Sequence, residues 1–142
     1  MEKNLSKSVS KKKVLILGAS SDIGIKVVKK YLDNNWKVLA HANKNQKKLS
    51  IIKNQNLNII KLDLSNPAKV ENYIKKNQKF FTRIDSFISL TGLLKLSNYE
   101  TFKIKDFLLH ININYLANQF FIRKIIKNMK QKKWGRILTS SS

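Results

Sequence analysis

The sequence predicts an α/β domain built on a doubly wound parallel β-sheet. Short apolar segments rich in branched residues alternate with longer amphipathic segments, a pattern typical of strands that alternate with helices. Small or polar residues follow three of the apolar segments, at Gly18–Gly24, Asp63 and Thr91-Gly92. Because the carboxyl ends of parallel strands meet at one edge of a sheet, these residues are expected to form a ligand site there.

The first predicted strand, Lys13–Leu17, leads through a tight turn of small residues into a helix. Gly18 allows the chain to leave the strand with an unusual backbone angle, and Gly24 allows the helix to pack closely on the sheet. Ser20 and Ser21 can hydrogen-bond a phosphate, which the free N–H groups of a helix N-terminus also favour. Considered alone, the turn is compatible both with a dinucleotide-binding loop and with a plain connection from strand to helix.

The first helix is predicted to run from Asp22 to Leu32, with an apolar stripe that begins at Ile23. Asp22 stands where many phosphate-binding loops have glycine. A negative charge is favoured at a helix N-terminus, but a carboxylate beside a phosphate must point away from it. The helix is expected to end at Asp33-Asn34-Asn35, where an Asn can adopt the left-handed conformation.

Four more strands and three more helices are predicted along the chain. Asn66 is the expected N-cap of one helix, with Pro67 in its first turn, and Gly135 is expected to break a long helix. Right-handed crossovers between strands give the sheet order 3-2-1-4-5. The predicted strands are Trp36–Ala40, Leu57–Leu62, Ile84–Leu90 and Arg136–Thr139. The three helices are a short one that passes through Leu49 and Ile52, one that follows Asn66 and has Phe81 on its apolar side, and a long one over Ile104–Gln131.

The chain of 142 residues suits one domain, predicted over residues 13–142 after a disordered basic tail at residues 1–12. There is no cysteine, and His41 and His110 are the only histidines, without carboxylates clustered beside them, so no metal site is predicted. The N-terminus lacks the apolar segment of a signal peptide, and no segment is apolar enough to cross a membrane. A cytoplasmic protein without a membrane partner is therefore expected.

The formal net charge is +21, from 29 Lys and Arg residues against 8 Asp and Glu residues. A charge of this size attracts anions and leaves a lysine-rich nucleic-acid-binding protein as one alternative function. Nearly all of the basic residues are lysines spread along the whole chain, whereas base recognition favours arginine. No specific nucleic-acid partner is therefore expected, while an anionic ligand such as a dinucleotide would gain from the positive field.

Five motifs resemble those of the short-chain dehydrogenase/reductase family, in the family's order. The glycine turn is similar to the family's Thr-Gly-Ala-Ser-Ser-Gly-Ile-Gly, and the last segment is similar to Gly-Arg-Ile-Val-Asn-Ile-Ser-Ser. The four residues Ser89–Gly92 share only their glycine with the family's Asn-Asn-Ala-Gly. The motifs are Leu17–Gly24, Asp63-Leu64, Ile84-Asp85 with Ser89–Gly92, Asn112–Ala117 and Gly135–Ser142.

The resemblance implies a Rossmann-like fold and hydride transfer between a nicotinamide cofactor and a carbonyl or alcohol. It implies that Asp63-Leu64 contacts the adenine ring, that Asn114 holds a helix kink and a water of a proton relay, and that Ser142 hydrogen-bonds the substrate oxygen. The family's general acid is a Tyr assisted by a Lys, in a Tyr-x-x-x-Lys pair on the helix after the fifth strand. This sequence does not reach that helix, so the sheet is expected to be incomplete on its C-terminal side.

The choice of dinucleotide depends on the residues after the second strand. Enzymes of this type that prefer NAD usually have an acid there to bind the ribose hydroxyls, and no acid occurs from Trp36 to Lys61. The position falls near Asn43, and Lys44 stands where it can approach a 2′-phosphate. NADP(H) is therefore favoured over NAD(H).

Two interpretations of the chain stay open. In one, it is the N-terminal portion of a reductase that acts on a small carbonyl or alcohol, such as a 3-oxoacyl group on acyl carrier protein, and the full-length protein is a homo-oligomer. In the other, it is a catalytically incomplete nucleotide-binding fragment. Both interpretations place a dinucleotide at the glycine turn.

Overall fold

The structure, a computed structural model, describes residues 10–140 of the chain. Ser142 and most of the predicted basic tail therefore lie outside the described residues. One parallel sheet of five strands is present, with helices packed on both faces. The strands are Lys13–Leu17 (β1), Lys37–Ala42 (β2), Leu57–Lys61 (β3), Ser86–Ser89 (β4) and Arg136–Thr139 (β5).

Five α-helices connect the strands, and two shorter helical segments of other types accompany them. A 3-10 helix follows the third α-helix, and a π-helical segment separates the fourth from the fifth. The α-helices are Asp22–Asp33 (α1), Gln46–Ser50 (α2), Pro67–Lys76 (α3), Ile104–Ile111 (α4) and Ala117–Lys132 (α5); the 3-10 helix is Gln78–Phe81 and the π-helical segment is Asn112–Leu116.

The sheet order is β3-β2-β1-β4-β5, which confirms the predicted topology. β1 is the central strand, and Leu15 pairs with Leu39 on one side and with Phe87 on the other. The chain reverses its direction of travel across the sheet between β3 and β4. The connections after β1 and β4 therefore diverge, which opens a crevice at the carboxyl ends of these strands.

The core has two halves, one on each face of the sheet, and β1 contributes to both. Leu15 and Leu17 pack with residues of α3 and α5, including Phe121, which is fully buried. Val14 and Ile16 face the opposite way and pack with α1. A strand buried on both faces is apolar throughout, and this is why the run of apolar residues in β1 predicted the strand correctly.

α1 follows the prediction at its end but not at its start. Asn35 adopts the left-handed conformation, with φ of +61°, as the stop signal predicted. Ile23, however, is 67% exposed, so its predicted place in the apolar stripe is wrong. The buried face of α1 is formed by Gly24, Val28 and Leu32. Ile23 precedes Gly24 by one residue and therefore lies outside this face.

Several predicted boundaries shift in the structure. β2 extends through His41 and Ala42, two residues beyond its predicted end. Phe81 lies in the 3-10 helix instead of in α3. The predicted single helix over Ile104–Gln131 is divided by the π-helical segment, and it ends because Lys133, before Gly135, adopts the left-handed conformation. Within residues 10–140, no helix is long and apolar enough to span a bilayer.

The cap of α3 provides a test of the fold. The Asn66 side chain accepts a hydrogen bond from the Lys69 N–H at 3.1 Å, and Pro67 follows in the first turn. We expect Asn66→Ala to lower the free energy of unfolding by about 1 kcal/mol, because one N–H of the first turn loses its acceptor. Asn66→Asp is the matched control, since it retains a cap oxygen and should unfold at nearly the wild-type urea concentration. Equal urea midpoints for the two variants would contradict the cap.

Candidate functional site

A cleft of about 510 Å³ lies at the carboxyl ends of β1, β2 and β4. Eight residues that the sequence predicted as cofactor contacts line it, together with polar residues of the segment after β2. The predicted residues that line the cleft are Gly18, Ser20, Ser21, Asp22, Asn43, Leu64, Thr91 and Gly92. The structure therefore brings the three separate sequence motifs to one place, as the parallel sheet predicts.

Two glycines of the turn are required by close backbone contacts. Gly18 has φ of +71°, and a Cβ there would lie 2.9 Å from the carbonyl carbon of Leu90. A Cβ on Gly24 would lie 2.6 Å from the carbonyl oxygens of Ala19 and Gly18. The turn thus presses against the end of β4 on one side and against the start of α1 on the other.

The two serines of the turn differ in their contacts. The Ser21 hydroxyl accepts a hydrogen bond from the Gly24 N–H at 3.0 Å and donates one to the Gly18 carbonyl at 2.9 Å. It is therefore the N-cap of α1, which the sequence had assigned only to phosphate binding. Ser20 is half-buried and lines the cleft. Because α1 begins at Asp22, the N–H groups of Asp22 and Ile23 have no partner inside the helix.

Of the predicted cofactor contacts after β2 and β3, Asn43 and Leu64 line the cleft and Lys44 and Asp63 do not. The Asp63 carboxylate accepts a hydrogen bond from the Ser65 N–H at 2.9 Å, and this bond, with smaller effects of Lys69 and Lys44, lowers the pKa of Asp63. Lys44 is likewise absent from the cleft wall, where a lysine of α2, Lys48, stands in its place.

Lys48 forms an ion pair with Asp22, which also lines the cleft. Its Nζ lies 3.0 Å from Asp22 Oδ1, and this contact is the largest cause of the lowered pKa of Asp22. The pair joins the start of α1 to α2. Sequence reasoning missed Lys48 because one lysine among 29 basic residues gives no distinct signal.

His41 is a further residue of the cleft that sequence reasoning missed. The side chain is buried in β2, where its Nδ1 accepts a hydrogen bond from the Gly18 N–H at 3.2 Å. Its Nε2 lies 2.8 Å from the Leu62 carbonyl oxygen, so Nε2 carries the proton and donates it. The neutral imidazole therefore ties the glycine turn to the end of β3. A polar residue inside an otherwise apolar strand was the available signal, because buried polar groups require partners.

A second cleft of about 440 Å³ adjoins the first and shares Leu90, Thr91 and Gly92 with it. Asn114, from the π-helical segment, lines this second cleft. Its side-chain Oδ1 accepts from the Leu93 N–H at 2.8 Å, and its Nδ2 donates to the Leu93 carbonyl at 3.0 Å. The amide of Asn114 thus fixes the loop after β4.

The end of β5 and the start of α5 complete the second cleft. Asn118, which is 5% exposed, donates from Nδ2 to the Asn114 carbonyl at 3.0 Å. Its Oδ1 is buried and has no hydrogen-bond partner among the described residues. Ser140 follows β5, and its hydroxyl donates to the Ser89 carbonyl at 3.1 Å. Ser140 and Asn114 therefore line the same cleft.

A comparison of the whole sequence with models of known protein families agrees with the order of these motifs and with their meeting at two adjoining clefts. The sequence model of the family described as short chain dehydrogenase matches residues 12–142. The chain belongs to this family. The match includes the glycine turn, Asn114 and β5, so all the motifs that carried the resemblance lie within it.

Family relatives are considerably longer than this chain. The 3-ketodihydrosphingosine reductase of Bos taurus is 30% identical, over 91% of this chain and 42% of the relative. The 3-oxoacyl-(acyl-carrier-protein) reductase FabG of Buchnera aphidicola is 27% identical, over 94% of this chain and 56% of the relative. A solved structure, ElxO with NADP bound, has a TM-score of 0.76 and 29% identity, over 94% of this chain and 56% of that one. The chain spans about half the length of these short chain dehydrogenase relatives.

The glycine turn gives a test with a matched control. We expect Gly24→Ala to lower the free energy of unfolding by about 1–3 kcal/mol, because the new methyl group would press on two backbone carbonyls that cannot move independently. Gly92→Ala places a methyl group where nothing lies within 4 Å, so it should change the stability by less than about 0.5 kcal/mol. Urea unfolding measures both effects. A Gly24→Ala protein as stable as Gly92→Ala would show that α1 is not pressed against the turn.

The contacts of His41 predict a dependence of stability on pH. Burial lowers the pKa of His41 below its ordinary value of 6.5. The unfolded chain therefore binds this proton at a higher pH than the folded protein does. We expect the free energy of unfolding to be constant above about pH 7 and to fall as the pH drops below about 6.5, by at most about 1.4 kcal/mol per pH unit.

Urea unfolding between pH 5 and pH 8 measures this effect, with His41→Gln as the comparison. The variant lacks the titrating group, so its unfolding free energy should vary less over the same interval. Titration of the His41 ring by NMR gives the pKa directly. A midpoint at or above 6.5 would contradict the expected depression of the pKa.

Proposed function

We propose that this chain binds NADP(H) and forms the cofactor-binding part of an oxidoreductase that interconverts a carbonyl and an alcohol. The observation that carries the proposal is the turn from Gly18 to Gly24, which presents the N-terminus of α1 to a cleft at the carboxyl end of the central strand. A helix N-terminus with free N–H groups and a positive dipole end stabilises a phosphate. Membership of the short chain dehydrogenase family supports the same assignment.

The shape and the donors of the two clefts fit a dinucleotide. The first cleft measures about 510 Å³ and the second about 440 Å³, and both volumes lie in the range of small-molecule sites. Leu90, Thr91 and Gly92 line both clefts, so a ligand that extends past this segment would reach from one cleft into the other. The first cleft offers hydroxyl, amide and backbone donors beside a glycine turn, which suits phosphate and ribose groups. The second offers Asn114 and the end of β5.

Specific residues are proposed for each part of the cofactor. The Ser20 hydroxyl and the N–H groups at the start of α1, from Asp22 and Ile23, would hold the pyrophosphate. Asn43 would lie beside the adenosine ribose, and Thr91 and Gly92, which line both clefts, would lie along the cofactor between them. Asp63, whose carboxylate holds the Ser65 N–H, would fix the loop around the adenine ring, toward which Leu64 contributes an apolar surface.

The nicotinamide supplies the hydride when the cofactor is bound. The contribution of this chain to that reaction is positional. Asn114 holds the loop after β4 through the oxygen and the nitrogen of its amide, and it lines the second cleft together with the end of β5. Ser142 would donate a hydrogen bond to the substrate oxygen. Proton transfer to that oxygen is assigned to a Tyr-x-x-x-Lys pair on the helix that follows β5 in the family.

A ketone is the proposed substrate class. The names of two relatives, a 3-oxoacyl-(acyl-carrier-protein) reductase and a 3-ketodihydrosphingosine reductase, both describe reduction of a ketone. A preference for NADP(H) over NAD(H) is proposed because no acid occurs from Trp36 to Lys61, the stretch in which NAD-dependent enzymes of this type have the acid that binds the ribose hydroxyls. The ElxO structure with NADP bound supports the same preference.

Titration of the purified chain with NADPH and with NADH tests the proposal. We expect NADPH to bind about tenfold more tightly, since one additional charge-assisted hydrogen bond contributes this much. Nicotinamide fluorescence gives both dissociation constants. Gly24→Ala is the control for non-specific attraction to a chain of charge +21, because it keeps the charge and distorts only the turn. Tighter binding of NADH, or equal NADPH binding by the variant, would refute the proposed preference or the proposed site, respectively.

A further inference from the structure

The ion pair between Asp22 and Lys48 lies at the proposed dinucleotide cleft. Lys48 Nζ and Asp22 Oδ1 are 3.0 Å apart, and the side chains are 53% and 91% exposed. Both residues line the cleft, and among the described residues that do so Asp22 is the only acid and Lys48 the only lysine. The charged side chains that an anionic ligand meets in this cleft are therefore those of this ion pair.

The position of Asp22 makes the pairing significant. An aspartate at the first residue of α1 is favoured by the positive end of the helix dipole. It would also repel the pyrophosphate of a dinucleotide bound to the same helix N-terminus. Lys48 cancels that negative charge in the free protein. Lys48, which neutralises Asp22, lines the same cleft as Asn43, and Asn43 directly follows β2.

We propose that Lys48 is the residue that recognises the 2′-phosphate of NADP(H), and that Asp22 is an internal anion that competes with this phosphate for the Lys48 ammonium group. The inference rests on the proposed binding of a dinucleotide at this cleft. It assigns the selectivity to Lys48 instead of Lys44, which lies outside the cleft wall. Binding of a phosphorylated dinucleotide exchanges one ion pair for another.

The energies of the two ion pairs favour this exchange. An exposed pair between two flexible side chains contributes little to stability, because water screens the charges and both side chains lose freedom. A phosphate dianion carries more charge than a carboxylate and accepts stronger hydrogen bonds from an ammonium group. Asp22 is almost fully exposed, so water can solvate its carboxylate after Lys48 has moved away. The unphosphorylated dinucleotide offers no such replacement, and the ion pair then persists.

Four proteins test the proposal: Lys48→Met, Asp22→Asn, the double variant and Lys47→Met. Lys47 is the matched control, since it precedes Lys48 in α2, is exposed and does not line the cleft. The ligands are adenosine 2′,5′-bisphosphate and adenosine 5′-monophosphate, which differ only in the 2′-phosphate, and calorimetry measures their dissociation constants. NADPH and NADH are titrated in parallel. Circular dichroism melting verifies that each variant folds.

We expect Lys48→Met to weaken the bisphosphate by about tenfold or more and the monophosphate by less than about twofold. Lys47→Met removes the same charge outside the cleft, so it should weaken both ligands only slightly and change their ratio far less than Lys48→Met does. Asp22→Asn should tighten the bisphosphate more than the monophosphate, because Lys48 is released from its competitor. The double variant should lose that additional gain and discriminate between the ligands as poorly as Lys48→Met does.

An unchanged ratio of the two dissociation constants in Lys48→Met would overturn the assignment of Lys48. Equal tightening of both ligands by Asp22→Asn would overturn the competition and leave only a general repulsion. In both cases wild-type binding of NADPH keeps the proposed function intact. If the folded wild-type chain binds none of the four ligands, the proposed function fails and this inference fails with it.

Discussion

Close approach of the backbone at Gly18 and Gly24 determines the arrangement of everything around the cleft. β1 is buried on both faces, so its position in the sheet is fixed by packing from above and below. Directly after β1, the Leu90 carbonyl occupies the space that a Cβ on Gly18 would need. The turn itself occupies the space that a Cβ on Gly24 would need. Three chain segments therefore meet with no side chain between them. Any enlargement at this point would separate β4 or α1 from the central strand.

His41 extends this constraint to a fourth segment. The Gly18 N–H lies at the end of β1, and the Leu62 carbonyl lies after β3, on the far side of β2. One neutral imidazole satisfies both groups, which are partly buried. The contact between the glycine turn and the Leu62 carbonyl therefore depends on the protonation state of His41, because Nδ1 accepts a hydrogen bond only in the neutral ring. The contact that His41 makes between β1 and the end of β3 is therefore sensitive to the pH of the solvent.

The parts of the fold that were predictable from the sequence are those specified by local patterns. β1 is a continuous apolar run, Asn66 and Pro67 are adjacent start signals, and Asn35 is a stop signal, so these features followed from a few neighbouring residues. The strand order followed from the handedness of crossovers and from motifs at strand ends. The roles of His41 and Lys48 did not follow, because their partners Gly18 and Asp22 lie more than 20 residues away and meet them only in the folded chain.

The π-helical segment Asn112–Leu116 shifts the rotational phase of the helix that contains it. In a regular α-helix Phe107 and Phe121 would be separated by nearly four turns and would lie about 40° apart around the axis, on one face. In the structure Phe121 is fully buried against the sheet, whereas Phe107 is 52% exposed. The π-helical segment lies between these two residues, so the helix is buried after the wider turn and presents apolar side chains to solvent before it. The exposed apolar side chains before it include Ile104, Phe107 and Leu108.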